Sequence, residues 1–411
     1  MNILFLNTTY ICGGAESVAS QILQGMSARG HHVYEIVSYH KRPEPLPGNV
    51  SAIYDTKARL VLNRLITHNH GNDSLTIPYS LRKISAFIRE KHIDVIHLHN
   101  AHGNFLGIRD IQKLSMLCPI VWTIHDFWPL TGHCASPTGC SDLWKEGCSS
   151  CPHLDNYPPL RQDKAAALLK EKEECFNRSS ILYTVPSRWM EQQFRQSVIG
   201  RQKCICIHNS LDTDLWKPID KSSLREKYGL PADKHILAFV AADPQKKSKG
   251  MDLLLGALEK LPSPENYLLL IAGREGGLEK IRQHGFAVRH FGYISDQEKM
   301  NEFYAMADLL VNPSLYETFG LVNIEAMSCG TPVIAFPICA MEEIIADTGW
   351  CVRSIDSQSL AQTIEKAFSS VDILKKKSLA SRERAVLHFS EKQMLDAFET
   401  AYKNAMAAWQ P

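Results

Sequence analysis

Two carboxylates, Glu317 and Glu325, bracket the seven-residue run Thr318-Phe319-Gly320-Leu321-Val322-Asn323-Ile324 in a chain of 411 residues. The run follows an apolar stretch with strand character and leads into a helix. Glu317 then belongs to the loop and Glu325 lies roughly one turn into the helix, so both face the carboxyl ends of strands, where open α/β sheets bind ligands. Between them Phe319, Gly320 and Leu321 offer helix-start amides suited to phosphate oxygens. Paired acids of this kind are more often solvated surface; the glycine-bearing segment between them favours a site. Lys249 stands directly before Gly250. An ammonium fixed there stabilises charge gathering on a departing phosphate without proton transfer, although most lysines are solvated surface charges.

Near the start of the chain, Thr8 to Cys12 lead into Gly13-Gly14 and then a helical stretch. Such a loop either lets amides approach an anion without obstruction by a Cβ or makes a tight strand-to-helix turn. His125-Asp126 ends another apolar run and reads as chemistry at a strand end or as a structural pair. His97 and His99 have the i, i+2 spacing of metal ligands but no third ligand in sequence, and are expected to be buried structural residues. Cys134, Cys140, Cys148 and Cys151 fall within eighteen residues and end in Cys-x-x-Cys. That pattern matches tetrahedral zinc ligation, and a metal would order a loop too small and polar to bury its own core. Two disulfides and four unlinked thiols are the alternatives.

Elements that could position these residues alternate along the chain. Strands are expected at Asn2 to Asn7, Val33 to Ser38, Asp94 to His99, Ile120 to His125, Ile181 to Pro186 and Cys204 to His208, with amphipathic helical stretches between them. A second series, Ile236 to Ala241, Leu268 to Ala272, Val288 to Phe291, Leu309 to Asn312 and Pro332 to Phe336, follows the turn residues Asn209, Ser210 and Asp212 and then Pro218. Alternation of this kind predicts βαβ units and two parallel sheets. The domains expected are 1–210, with a cysteine-rich loop at 133–152, then 211–389. A terminal amphipathic helix, 390–411, carries Met394, Phe398, Ala401, Tyr402 and Ala405 on one face.

Composition narrows the function classes. The 45 Lys+Arg against 44 Asp+Glu leave a formal charge of +1, so no global field selects nucleic acid or an anionic membrane. No secretory leader is visible at Met1 to Leu6, and no apolar run approaches the roughly 20 residues that span a bilayer. A cytoplasmic protein with reduced thiols is expected, since the cytosol keeps disulfides from persisting. The stretch Lys57 to Arg64 is amphipathic enough to touch lipid head groups but reads more readily as an ordinary surface helix. No Gly-x-Gly-x-x-Gly follows the first strand, which sets aside a dinucleotide-dependent oxidoreductase.

Over essentially its whole length the sequence resembles the glycosyltransferases of family 4. The resemblance rests on Glu317 to Glu325, Gly13-Gly14, the run Lys249-Gly250-Met251-Asp252-Leu253-Leu254, and Gly292-Tyr293-Ile294-Ser295. It implies the GT-B fold, an α/β architecture of two Rossmann-like domains whose parallel sheets face a central cleft. The C-terminal helix would then cross back to the first domain. It also implies a retaining transferase that takes a hexose from a nucleotide diphosphate sugar donor. Glu325 would hold the donor ribose and Glu317 would lie near the transferred sugar. The amides of Phe319, Gly320 and Leu321 would contact the donor, as would Gly13 and Gly14, and His125 would stand beside donor sugar and acceptor. Tyr293 and Ile294 would sit by the nucleobase, and Arg274 on the donor side. Lys249 matches the lysine of the family's basic dyad, but its arginine is missing, which leaves Lys246 or Lys247 to supply the second charge. The family's usual glycine pair is replaced at Cys339-Ala340-Met341-Glu342. No catalytic metal is expected, because nothing resembles an Asp-x-Asp motif.

The cysteine loop, with Trp128, Trp144, Gly147 and Asn156-Tyr157-Pro158-Pro159, resembles a branch of the family active in bacterial exopolysaccharide assembly of the colanic acid type. That likeness implies a lipid-linked oligosaccharide acceptor, carried on polyprenyl diphosphate at the inner face of the membrane, with peripheral membrane contact and no nucleic acid partner. A nucleotide-sugar epimerase of the same fold and a non-catalytic sugar-binding protein are the alternative readings.

Overall fold

A computed structural model describes residues 1–10, 13–40, 45–54, 56, 58, 60–61, 78–103, 105–140, 142–274 and 286–410. Ile11 and Cys12 of the glycine loop, and much of the 57–64 stretch, lie outside the described residues. The chain divides into two compact units, one of residues 1–207 with 395–411 and the other of residues 208–394.

Unit 1 is built on seven parallel strands, β1 (Asn2–Asn7), β2 (His32–Val37), β3 (Val50–Ala52), β4 (Val95–Leu98), β5 (Ile120–Thr123), β6 (Ile181–Val185) and β7 (Cys204–Cys206), in the order β3-β2-β1-β4-β5-β6-β7. Ile3, Leu4, Phe5 and Leu6 are all fully buried, as expected of a strand covered on both faces by helices. Strand order reverses between β1 and β4, so the chain leaves their carboxyl ends in opposite directions and opens a crevice there. Thr8 ties the two exits together, its Oγ1 donating to the carbonyls of Asn100 at 2.9 Å and His102 at 2.8 Å.

The helix Glu391–Ala408 ends in unit 1 from Leu395 onward. Phe398, Ala401 and Tyr402 are buried, and Tyr402 Oη lies 2.8 Å from His97 Nδ1. Gly25 makes room for Leu395, since a Cβ there would stand 2.3 Å from its Cδ1. Arg29 adds ion pairs to Asp396 at 2.7 Å and Glu399 at 3.3 Å.

Unit 2 carries β8 (His235–Ala241), β9 (Tyr267–Gly273), β10 (Ala287–His290), β11 (Leu309–Asn312), β12 (Val333–Ala335) and β13 (Trp350–Cys351), all parallel, in the order β10-β9-β8-β11-β12-β13. Leu237, Phe239, Leu269, Ile271, Leu309 and Val311 form the centre of its core. Here the order reverses between β8 and β11, and the loops after those strands meet. Leu315 N donates to Ser248 O at 2.8 Å. Gly250 adopts φ +68°, and a Cβ on it would lie 1.9 Å from the Pro313 carbonyl oxygen. Only glycine satisfies both the left-handed backbone and that approach.

Candidate active site

In unit 2 the two meeting loops bring the predicted groups into contact. Lys249 Nζ lies 2.9 Å from Glu317 Oε2, with both side chains partly exposed. Past Glu317, the helix Leu321–Ser328 begins after Gly320, which takes φ +86°. The amides of Phe319, Gly320, Leu321 and Val322 make no hydrogen bond among the described residues. They form an anion-ready helix start next to an ammonium. Phe319 itself turns inward and is buried, beside Phe389 and His208, so its contribution to the site is backbone.

Glu325 accepts a hydrogen bond from Tyr304 Oη at 2.7 Å. Burial raises its carboxyl from the ordinary range to about 7, against the pull of that hydrogen bond. Near neutral pH the group is poised between a donor-bearing acid and an acceptor-only carboxylate. Lys246 and Lys247, candidates for the absent arginine, are exposed on the loop after β8, as is Arg274 just past β9. Tyr293 is 69 % exposed after the left-handed Gly292, with Ile294 half-buried beside it. None of these five side chains contacts the Lys249–Glu317 pair through a hydrogen bond or ion pair among the described residues.

Supporting residues carried no motif. Asn312 Nδ2 donates to Asn323 Oδ1 at 2.8 Å, and Asn323 Nδ2 donates to Met341 Sδ at 3.1 Å. These contacts lock the end of β11 to the helix that carries Glu325 and to the helix Met341–Ile345. Cys339, in the segment that replaces the family's glycine pair, takes φ +48°. A residue with a Cβ therefore occupies the left-handed region that a glycine would enter without strain. Burial pushes its thiol pKa up, while a hydrogen bond from the Glu317 backbone acts the other way.

In unit 1 His125 is buried at the end of β5 and sits in a chain of rings. Its Nε2 lies 2.8 Å from His99 Nδ1, His99 packs against His97, and His97 Nε2 bonds to Thr123 Oγ1 at 2.7 Å. Burial lowers the pKa of His125 to about 4, with Asp126 opposing, and lowers those of His97 and His99 as well. His125 is thus a neutral imidazole at physiological pH. His99 Nε2 is buried without a partner. A bare nitrogen there costs less than an orphaned N–H, which puts the His99 proton on Nδ1, donating to His125 Nε2, and leaves the His125 proton on its own Nδ1. The expectation that His99 is a buried structural residue thus omits its part in orienting His125. Asp126 accepts from His102 Nε2 at 2.7 Å and from the Trp128 amide at 2.9 Å.

The glycine loop of unit 1 has a different character. Gly13 is extended, at φ −176°, a backbone that any residue adopts. A Cβ on it would meet Glu16 Oε2 at 2.8 Å, and Glu16 Oε1 accepts from Thr9 Oγ1 at 3.1 Å. The start of the helix Gly14–Ala28 therefore already carries a carboxylate of its own.

Cys134, Cys140 and Cys148 are buried, Cys151 is half-buried, and all four are free thiols. Burial raises the pKa of Cys134 to about 11 and those of Cys140 and Cys148 as well, with neighbouring members of the set adding to each shift. No three of the four sulfurs join a group of ligand atoms within 4.8 Å of one another. His133 donates from Nδ1 to Pro158 O at 2.8 Å, which turns its Nε2 toward Cys151 Sγ at 3.5 Å. Lys172, 1 % exposed, donates to the carbonyls of Trp128, Thr131 and Gly132 and lies 4.0 Å from the centre of the Trp128 ring. It holds the base of the loop. A signal was present in the sequence, because Lys172 falls on the apolar face that Leu168, Leu169, Cys175 and Phe176 define on its helix.

Two parallel-sheet units of this topology, with Lys249, Glu317 and an unpaired helix start gathered at the strand ends of the second, are the GT-B class of glycosyltransferase. The chain matches the family described as Glycosyltransferase Family 4 over residues 12–215 and that described as Glycosyl transferases group 1 over residues 220–384, and it belongs to these glycosyltransferases. It is 26 % identical to WcaC of Escherichia coli K12, described as a colanic acid biosynthesis glycosyl transferase, over 98 % of this chain and 100 % of that one. Among solved structures, sucrose-phosphate synthase of Thermosynechococcus elongatus superposes with TM-score 0.76 at 20 % identity over 99 % of both chains. Anabaena HepE, solved in complex with UDP, gives 0.71 at 19 % identity over 98 % of this chain and all of the other. These likenesses establish the fold. No helix among the described residues is long and apolar enough to cross a membrane.

Proposed function

We propose that the protein is a retaining hexosyltransferase that uses a nucleotide diphosphate sugar and extends a polyprenyl-diphosphate-linked oligosaccharide during bacterial surface polysaccharide assembly. The observation that carries the reading is the Lys249–Glu317 pair at 2.9 Å beside a helix start whose amides are unpaired. The diphosphate takes those amides and Lys249, and Glu317 exchanges its ammonium partner for the donor. As the bond from the anomeric carbon to the diphosphate breaks, charge grows on the leaving oxygen and Lys249 stabilises it where it develops. An acceptor hydroxyl attacks the same face and passes its proton to the departing phosphate, so the step calls for no side-chain base. Glu325 accepts the ribose hydroxyls, and the neutral His125 gives a hydrogen bond to a sugar hydroxyl. Tyr293, Ile294 and Arg274 line the donor's base and phosphate side, and Lys246 or Lys247 adds the second positive charge. The WcaC likeness supports the polysaccharide assignment, and the UDP bound in HepE supports the donor class. A cytoplasmic location, with peripheral contact at the inner membrane face, follows from that acceptor.

Thermal denaturation against UDP, GDP, TDP and CMP sugars tests the reading, because a ligand that binds only the folded state raises its melting temperature. A shift with one nucleoside diphosphate and transfer to a lipid-linked acceptor are expected. Conversion of the donor to an epimer without any acceptor would replace the reading with an isomerase.

The four-cysteine loop is proposed to take one structural zinc on Cys134, Cys140, Cys148 and Cys151, drawing the sulfurs together. Four reduced thiols on one loop, with the pKa values of Cys134, Cys140 and Cys148 raised in part by other members of the set, support this, and the buried Lys172 ammonium supplies positive charge to a dianionic tetrathiolate centre. Metal analysis is expected to give one zinc per chain, whose removal loosens the loop; fully folded, metal-free protein would overturn it.

A further inference from the structure

A second polar feature of unit 1 lies at the other side of its sheet from His125. Glu35, in the middle of β2, is 3 % exposed, and its Oε2 is buried without a hydrogen-bond partner. No ion pair to it occurs among the described residues, and the nearest charge acting on it is another acid, Glu16. Only the backbone of Glu35 is engaged, its amide donating to Asn49 O at 2.9 Å. An unanswered carboxylate inside a parallel sheet is costly, and nothing in the transfer step described above uses it.

Glu35 lines a groove of about 450 Å³ between the helix Gly14–Ala28 and the β2–β3 edge, within the range of small-molecule sites. Its other described walls are neutral: Ser20 and Gln24 from the helix, Tyr10 from the loop after β1, Asn49 ahead of β3, and the apolar Leu23 and Val50. Hydroxyl and amide groups around one carboxylate, with an aromatic ring and an apolar wall, complement a polyhydroxylated ring. An ammonium ligand would call for more negative charge or an aromatic cage. Three strand steps, β2 to β1 to β4 to β5, separate Glu35 from the strand that carries His125, about 14 Å at the usual spacing.

We propose that this groove is a saccharide subsite in which Glu35 accepts hydrogen bonds from the hydroxyls of a neutral sugar unit of the acceptor. The inference rests on the transferase reading and deepens it. The unit held there is not the one that reacts beside His125, so the site selects for an acceptor already several sugars long.

An array of immobilised neutral oligosaccharides, with amine-bearing counterparts, separates the possibilities when probed with the wild-type protein, Glu35→Gln and Gln24→Trp. Gln24 is exposed on the helix, so the tryptophan blocks the groove without entering the core. Wild type is expected to retain neutral glycans, and each variant to lose about tenfold in retention, the loss that follows when a hydrogen bond to a charged group is removed. Melting temperatures of the variants near that of wild type establish that they fold. Equal retention by wild type and Glu35→Gln, no glycan retained at all, or retention of amine-bearing glycans alone would each overturn the proposal. The nucleotide-sugar melting shift, run on the same proteins, reports separately on the transferase reading: its loss with glycan retention intact defeats that reading and leaves the subsite standing.

Discussion

Both units start a helix after a strand with a glycine-bearing loop, yet the two helix starts are chemically opposite. At Gly13-Gly14 the backbone is extended and Glu16 already occupies the neighbourhood of the helix terminus. At Gly320 the backbone is left-handed, the following amides are unpaired, and Lys249 stands beside them. A glycine before a helix is therefore no sufficient mark of an anion site. What distinguishes the second is its positive φ together with a cation brought in by a neighbouring loop, and that approach depends on Gly250 fitting against Pro313 O.

The contrast can be broken most forcefully at the cation. Lys249→Ala is expected to lower kcat by roughly 10²-fold or more, the effect of deleting one transition-state charge contact, and an unchanged rate would remove the diphosphate from this helix start. Next in size is the pair of glycine substitutions. Gly320→Ala forces a Cβ into the left-handed region, 2.6 Å from Asn323 Nδ2, and should cost about 2 kcal/mol in denaturant unfolding. Gly13→Ala meets only the far end of the Glu16 side chain and should cost below about 0.5 kcal/mol. Equal losses would erase the distinction between the two loops.

A separate effect is expected from pH. Glu325 titrates near 7 in the folded chain, above an ordinary carboxyl, so the native state binds its proton more tightly than the unfolded state does. Its stabilising contribution is complete below the ordinary carboxylate range and is lost as pH rises through about 7. Donor affinity should move the other way, strengthening over the same window as the carboxylate forms to receive the ribose hydroxyls. Glu325→Gln should flatten the affinity profile and make the stability profile shallower. Glu35, also raised to about 7, adds a similar stability slope, and Glu35→Gln isolates it. A donor affinity independent of pH between 6 and 8, values that bracket that titration, would take the ribose away from Glu325. A gain rather than a loss is expected in the loop facing Glu317: Cys339→Gly relieves the φ of +48° and should raise stability by about 1 kcal/mol, as read by thermal unfolding.

The strands of both sheets were legible where burial on two faces makes an apolar run, as in β1 and β8. The short edge strands β3 and β13, of three and two residues, escaped notice because so few residues carry no period. At the site, Glu317, Glu325 and Lys249 were readable as types in a spacing, and the structure brings Lys249 to Glu317. Asn312, Asn323 and Tyr304 were not, since their roles arise from partners distant in sequence. His99 was placed in the core because its i, i+2 pairing with His97 lacks a third ligand in sequence, but its bond to His125 depends on the register of β4 against β5, which a single strand does not disclose. The proximity of Glu16 to Gly13 likewise needed coordinates.

The return of residues 395–408 to unit 1 orders events during synthesis on the ribosome. Unit 2 is contiguous in sequence and can close as soon as its last strand and helices emerge. Unit 1 is translated first yet lacks Phe398 and Tyr402 until unit 2 is complete, and with Tyr402 the partner of His97, on which His99 and in turn His125 pack. The histidine chain of unit 1 is therefore set only after unit 2 has been translated, so a nascent chain stalled before residue 395 would present a finished unit 2 and a unit 1 in which His97 still lacks its Tyr402 partner.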